Sequence, residues 1–164
     1  MSITQLSPGS RVWFFIANRP LNSEEAAQLT GVMSEFVSGW KSHGSALSAD
    51  LDFRWNALLT VAVDESVEAP SGCSIDKVFR LLNDFMTATG IDFLNRLLLL
   101  VPAGENTANI YTQSAAKEAL EKGTLTENTP VADVMHTTLG SFVNSPLQPF
   151  HHHWMGKQLI RQNA

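Results

Sequence analysis

The chain has 164 residues, 44 % of them hydrophobic and 16 % charged, with a formal net charge of −5. That length suits one ordinary domain with a buried core, the apolar share excludes disorder, and the acidic balance without any basic run argues against a nucleic-acid partner. A single cysteine, Cys73, allows no intrachain disulfide, and the first apolar run (12–17) is too short for a signal or a membrane span. The expected compartment is the reducing cytoplasm, with no membrane and no cofactor implied.

Taken in chain order, residues 12–17 are continuously apolar, as a strand covered on both faces would be. Asn22 is placed to cap a helix, with Glu25 at the capping-box position. Leu29, Val32, Met33, Phe36, Val37 and Trp40 recur at three and four residues, which makes an apolar stripe. Gly44 is the expected stop, with His43 in the last helical turn.

From Leu47 to Val63 every second residue is apolar, a period of two and hence strand. The parity never breaks, so this is either one long bent strand or two strands meeting near 50–52. Residues 58–63 are apolar on both faces and predict a central strand. After a loop (65–72), Ser74 is expected to open a second helix with Asp76 in its first turn, burying Ile75, Val78, Phe79, Leu82, Phe85 and Met86 and ending at Gly90. Residues 97–101 read as a buried strand, 102–106 as a turn and 109–113 as its hairpin partner. Ser114 is expected to cap a short helix ending at Lys122-Gly123. Thr129-Pro130 reads as a cap with proline at the first helical position, the helix running to Leu139. Residues 145–164 should form a partly irregular arm ending in a short helix. The sum is a single α+β domain over 1–164, with a mixed or antiparallel sheet and helices mainly on one face.

Four places could carry chemistry. At Ser71-Gly72-Cys73-Ser74-Ile75-Asp76 a loop feeds a helix, where free amides and the dipole can hold an anion or lower a thiol pKa. Cys73 would serve as nucleophile, His43 as its base and Asp76 as an orienting group, while Ser71, Gly72 and Ser74 would bind the ligand. The competing and stronger reading makes Cys73 an apolar residue before the cap, packed on Val78. In Trp40-Lys41-Ser42-His43-Gly44, His43 has a structural alternative, bonding the last helical carbonyls. His151-His152-His153 invites a metal, but adjacent residues point apart, so no metal site is expected. Arg54, beside Asp50 and Asp52, could anchor an anion if that sheet face were open.

Trp40-x-x-His43-Gly44, Val63-Asp64-Glu65 and the 71–76 string together resemble a small, uncharacterised family of bacterial proteins, sometimes labelled "ABC transporter ATPase". The resemblance covers about the first hundred residues. It implies Trp40, His43, Gly44, Asp64, Ser71, Gly72, Cys73, Ser74 and Asp76 as site residues. Relatives tend to have an acidic residue where this chain has Asn95, before Arg96. The chain itself carries no G-x-x-x-x-G-K-[ST] loop. These observations favour a small non-catalytic binding or adaptor protein, which could be a homodimer, and whose partner is a protein or a small anionic ligand. The alternatives are a thiol-dependent enzyme, or an anion binder, at Cys73.

Overall fold

The computed structural model describes residues 3–162. Its centre is a three-stranded antiparallel sheet of β1 (Arg11–Ile16), β4 (Ser48–Arg54) and β5 (Leu58–Asp64), in the order β1-β5-β4. The strand with two apolar faces, β5, lies in the middle, as its composition requires. Between β1 and β4 the chain forms α1 (Ser23–Ser38) and a small hairpin, β2 (Lys41–Ser42) and β3 (Ser45–Ala46). The long helix α2 (Gly72–Thr89) follows β5.

Period two runs unbroken through two strands because of the turn between them. Trp55 and Asn56 both have positive φ (52° and 51°), and Ala57 N–H bonds Arg54 O at 3.0 Å. Arg54 nevertheless pairs with Leu58, so the loop holds three residues and every paired couple has equal parity. Such a loop carries the alternation across the reversal, whereas a two-residue loop would invert it. The strands therefore meet at 55–57, not near 50–52.

The first helix starts as its sequence predicts. The Asn22 side chain accepts the Glu25 N–H (2.9 Å), and the Glu25 carboxylate accepts the Asn22 N–H (3.0 Å) and both Arg19 guanidinium nitrogens (2.8 and 2.7 Å). That guanidinium, and next the Asn22 amide, hold the Glu25 carboxyl down to about 2. The helix ends at Ser38 with Gly39 as cap, well short of Gly44. His43 and Gly44 (φ 49° and 88°) instead form the tip of the β2–β3 hairpin, so His43 is not at a helix end. Trp40 is buried, but outside the helix. Its indole N–H donates to the Ser74 carbonyl at 3.0 Å, which satisfies a polar atom the core would otherwise strand.

The cap of α2 is Ser71, three residues before the expected Ser74. The Ser71 Oγ accepts the Ser74 N–H at 3.2 Å, and the Ser74 hydroxyl donates back to Ser71 O at 2.8 Å. Gly90 ends the helix with φ 74°, the left-handed conformation glycine tolerates best. Helices α1 and α2 cover the sheet face bearing Phe15 and Val61, where Phe15 meets Phe79 edge-on at 5.5 Å. The opposite face has lighter cover from α4 (Leu139–Asn144) and the turn Ile3–Gln5. There Ile3 and Leu139 pack on Val12 and Ala62, and Phe142 lies 4.7 Å from Phe14.

The remainder folds around a second core. It comprises the hairpin β6 (Leu99–Pro102) and β7 (Ala108–Tyr111), α3 (Gln113–Glu121), the pair β8 (Pro130–Ala132) and β9 (Leu147–Pro149), and α5 (Trp154–Gln162). Around β6, successive side chains serve different cores: Leu98 and Leu100 join the main one, Leu99 and Val101 the second. This explains an apolar run with no alternation. The cap of α3 is Thr112, not Ser114. Residues 130–132 are a strand rather than the start of a helix. Thr129 Oγ1 is occupied by the Thr126 N–H, Pro130 needs no ladder partner at a strand's first residue, and Val131 and Ala132 are buried. The C-terminal segment is integral to the body, for Phe150, Met155 and Leu159 fill the second core. Gly156 passes so close to Phe150 that an added Cβ would stand 1.9 Å from its carbonyl oxygen.

Candidate functional site

The two strings that stand out in the sequence are the two sides of one contact. Beside the Trp40–Ser74 bond, the Ser71 N–H donates to Ser42 Oγ at 3.2 Å, so the β2–β3 hairpin is fastened to the first turn of α2. Ser42 and Ser74 are buried there. Cys73, His43 and Asp76 are all exposed, and among the described residues no hydrogen bond joins any two of them. The side chain of Ser71 is used in capping. The Ser66 hydroxyl, and next the Ser66 N–H that Asp64 accepts at 3.0 Å, hold the Asp64 carboxyl below the usual range. Arg54 is half-buried, paired with Asp52 and 5.3 Å above the Phe142 ring, so α4 covers the sheet face on which it could have met a ligand.

The histidine triplet divides into three environments. The His151 ring contacts the Glu127 carbonyl, His152 is exposed, and His153 is buried with Nδ1 accepting the Met155 N–H at 3.2 Å. Burial pushes the His153 pKa down to about 4. Among the described residues no three His, Cys, Asp or Glu side chains are arranged to hold a metal.

A cleft of about 610 Å³ opens elsewhere, along the whole of β1. Its walls are the 93–98 segment after α2, the 134–137 segment before α4, and Trp154 at the start of α5. Phe15, Phe79, Phe93 and Leu98, all of the main core or packed against it, give part of the lining an apolar character, and polar groups make up the rest. Its ionisable lining residues are Arg11, Arg96 and His136, with no carboxylate among them, in a chain whose net charge is negative.

Arg11 lies 4.8 Å over the Trp13 ring and 3.4 Å from Glu65. His136 Nε2 is 2.7 Å from Ser145 O and 3.4 Å from Asp133, so that side of the ring is engaged. Arg96 is exposed and has no ion pair among the described residues. Two apolar lining residues are exposed with it, Met135 at 71 % and Trp154 at 36 %, and Leu97, the next residue in the chain after Arg96, is 64 % exposed.

Sequence reasoning misses this cleft. Asn95 and Arg96 stand out in the sequence only as a departure from the resembling family, and residues 134–137 read there as helical. The lining comes from five stretches of the chain (β1, Phe79 of α2, 93–98, 134–137 and Trp154), which share no local pattern. None of Cys73, His43 and Asp76 lines it, nor the smaller cavity of about 170 Å³ beside Pro8 and Gly140. No helix among the described residues is long and apolar enough to cross a membrane. Compared with family models, with curated proteins and with solved structures, the chain finds no match.

Proposed function

We propose that the protein is a small non-catalytic binding module of the cytoplasm, and that the cleft along β1 is where it takes an anionic, partly apolar partner. One observation carries the reading: a trough of mixed apolar and polar surface, with exposed Met135 and Trp154 in its lining, holds two guanidiniums and an imidazole and no carboxylate, and the Arg96 guanidinium has no ion pair among the described residues. Exposed apolar surface beside an unpaired cation is the pattern of a recognition site, because the apolar area supplies affinity and the charge selects the partner. The lone free cysteine supports a reducing compartment. The motif resemblance to the small bacterial family belongs to the same proposal, and the direct hairpin-to-α2 contact gives those strings a structural role that needs no catalysis.

Titration with the apolar anion anilinonaphthalene sulfonate tests the reading, followed by quenching of Trp13 and Trp154. One saturable site per chain is expected, weakened about tenfold by Arg96→Glu, the scale of one lost charge-assisted contact. Cys73→Ser should leave it unchanged. No saturable site, or one indifferent to Arg96→Glu, refutes the assignment.

A further inference from the structure

The strand that floors the cleft is an edge strand, and its hydrogen-bonding direction follows from register. Ala17 N–H bonds Ala57 O at 2.8 Å, continuing the ladder in which Phe15 pairs with Leu59 and Trp13 with Val61. In an antiparallel ladder the groups facing the partner alternate. Arg11, Trp13, Phe15 and Ala17 therefore turn their amides and carbonyls towards β5, while Val12, Phe14 and Ile16 turn theirs outward. Two contacts confirm the parity. Val12 N–H bonds Thr137 O at 3.2 Å, and Asn18 N–H bonds Asp92 O at 2.8 Å, both on the outer side.

These contacts close the two ends of the edge and leave its middle free. Among the described residues the outward N–H groups of Phe14 and Ile16 have no partner, and both residues line the cleft. Native proteins ordinarily protect such an edge with a charge, a proline or a bulge. Residues 12–16 contain none, being Val-Trp-Phe-Phe-Ile. The free stretch offers alternating donors and acceptors to a strand of about three or four residues at 3.3 Å per residue.

Resting on the cleft assignment above, we infer that the occupant is an extended acidic peptide segment, which adds as a fourth strand against Phe14 and Ile16 and places a carboxylate on Arg96. Main-chain bonds at the edge supply affinity without sequence demands. The side chains pointing into the trough and at the guanidinium set the selection. A second copy of this chain is a poorer fit. Its own free edge is recessed between the same two walls, so two such edges cannot approach one another.

The test uses the full chain and the capped peptide acetyl-Val-Asp-Val-Glu-Val-amide, with hydrogen exchange read at the Phe14 and Ile16 amides. Three further peptides accompany it: one with lysine at both acidic positions, and two N-methylated at alternate residues in one phase or the other. The acidic peptide is expected to bind one per chain, displace anilinonaphthalene sulfonate and slow exchange at both amides at least tenfold. The lysine form, and one phase of N-methylation but not the other, should bind at least tenfold more weakly, since only one set of peptide amides faces the edge. Arg96→Glu should reverse the preference between acidic and lysine forms.

If the dye binds at an Arg96-dependent site and the acidic peptide does not, the strand inference is overturned and the cleft assignment stands. If neither binds, both fall. Peptide binding that leaves the two amides unprotected, or that ignores both phases of methylation, overturns strand addition. Self-association that protects those amides and excludes the peptide assigns the edge to a second copy and overturns it as well.

Discussion

His153 allows a stability prediction whose size follows from its surroundings. The side chain is 2 % exposed, its ring stacks near Phe150, and Nδ1 accepts the Met155 N–H at the start of α5. Protonating that nitrogen would remove the acceptor and place a cation in the second core. Burial accordingly lowers the pKa from 6.5 to about 4; Lys157 adds to this and Asp133 opposes it. A base with a lowered native pKa destabilises the fold in acid. As the pH falls below the unfolded value, the unfolded chain takes up a proton that the native chain refuses. Stability is therefore full above about pH 6.5 and declines towards pH 4, with a total loss of about 3 kcal/mol. About 2 kcal/mol of this falls between roughly pH 7.5 and pH 5, above the range where most carboxylates titrate. That is a sizeable part of the 5–15 kcal/mol typical of a domain. Urea unfolding at those two pH values, for the natural chain and His153→Asn, isolates the effect, because the asparagine side-chain oxygen sits where Nδ1 does and offers the same amide an acceptor that does not titrate. The natural chain should lose about 2 kcal/mol more than the variant. Equal losses in the two proteins would show that this imidazole titrates as if in water, and would refute both its burial and its capping bond.

Two glycines in helices should respond oppositely to alanine. Gly31→Ala has nothing within 4 Å of the new methyl and should gain up to about 1 kcal/mol, whereas Gly156→Ala drives it against the Phe150 carbonyl and should lose roughly 3 kcal/mol, or about 6–12 °C in melting temperature. Calorimetry on both variants checks the sign at each site. Trp40→Phe removes the indole donor to Ser74 while keeping an aromatic ring, and should cost about 1 kcal/mol in urea unfolding. Cys73 is exposed, so an aromatic disulfide reagent should label one thiol per native chain without denaturant, and Cys73→Ala should move stability by less than about 0.5 kcal/mol. Labelling that waits on unfolding would refute the exposed placement. A thiolate that persists well below the ordinary thiol range in the pH profile would revive a catalytic role for it.

Local signals identify most elements and misjudge their ends. The Asn22–Glu25 box places the start of α1 to the residue because both partners lie within one turn. The end of α1 is hidden because Trp40 continues the helical spacing while belonging to a hairpin, and the group that draws it away is Ser74, thirty-four positions on. The turn at 55–57 is concealed for a related reason. A tryptophan in left-handed backbone carries no turn signature, and a three-residue loop keeps parity. At 129–132 the threonine and proline do mark a boundary, but whether strand or helix lies beyond it is decided by Leu147–Pro149, which pairs with that segment from the far side of α4.

The order of apolar residues alone establishes that this is an α+β chain, that β5 is central and that two long helices lie on one side, since periodicity and burial are linked within a few residues. The cleft is a different kind of object. It exists where the edge of β1, two connecting segments and the first residue of α5 fail to close on one another, and its charge arises because Arg11 and Arg96, eighty-five positions apart, come to line one wall system. Which backbone groups of β1 remain free depends on its pairing with β5 and on the two contacts that stop its ends, and only the folded chain brings these together.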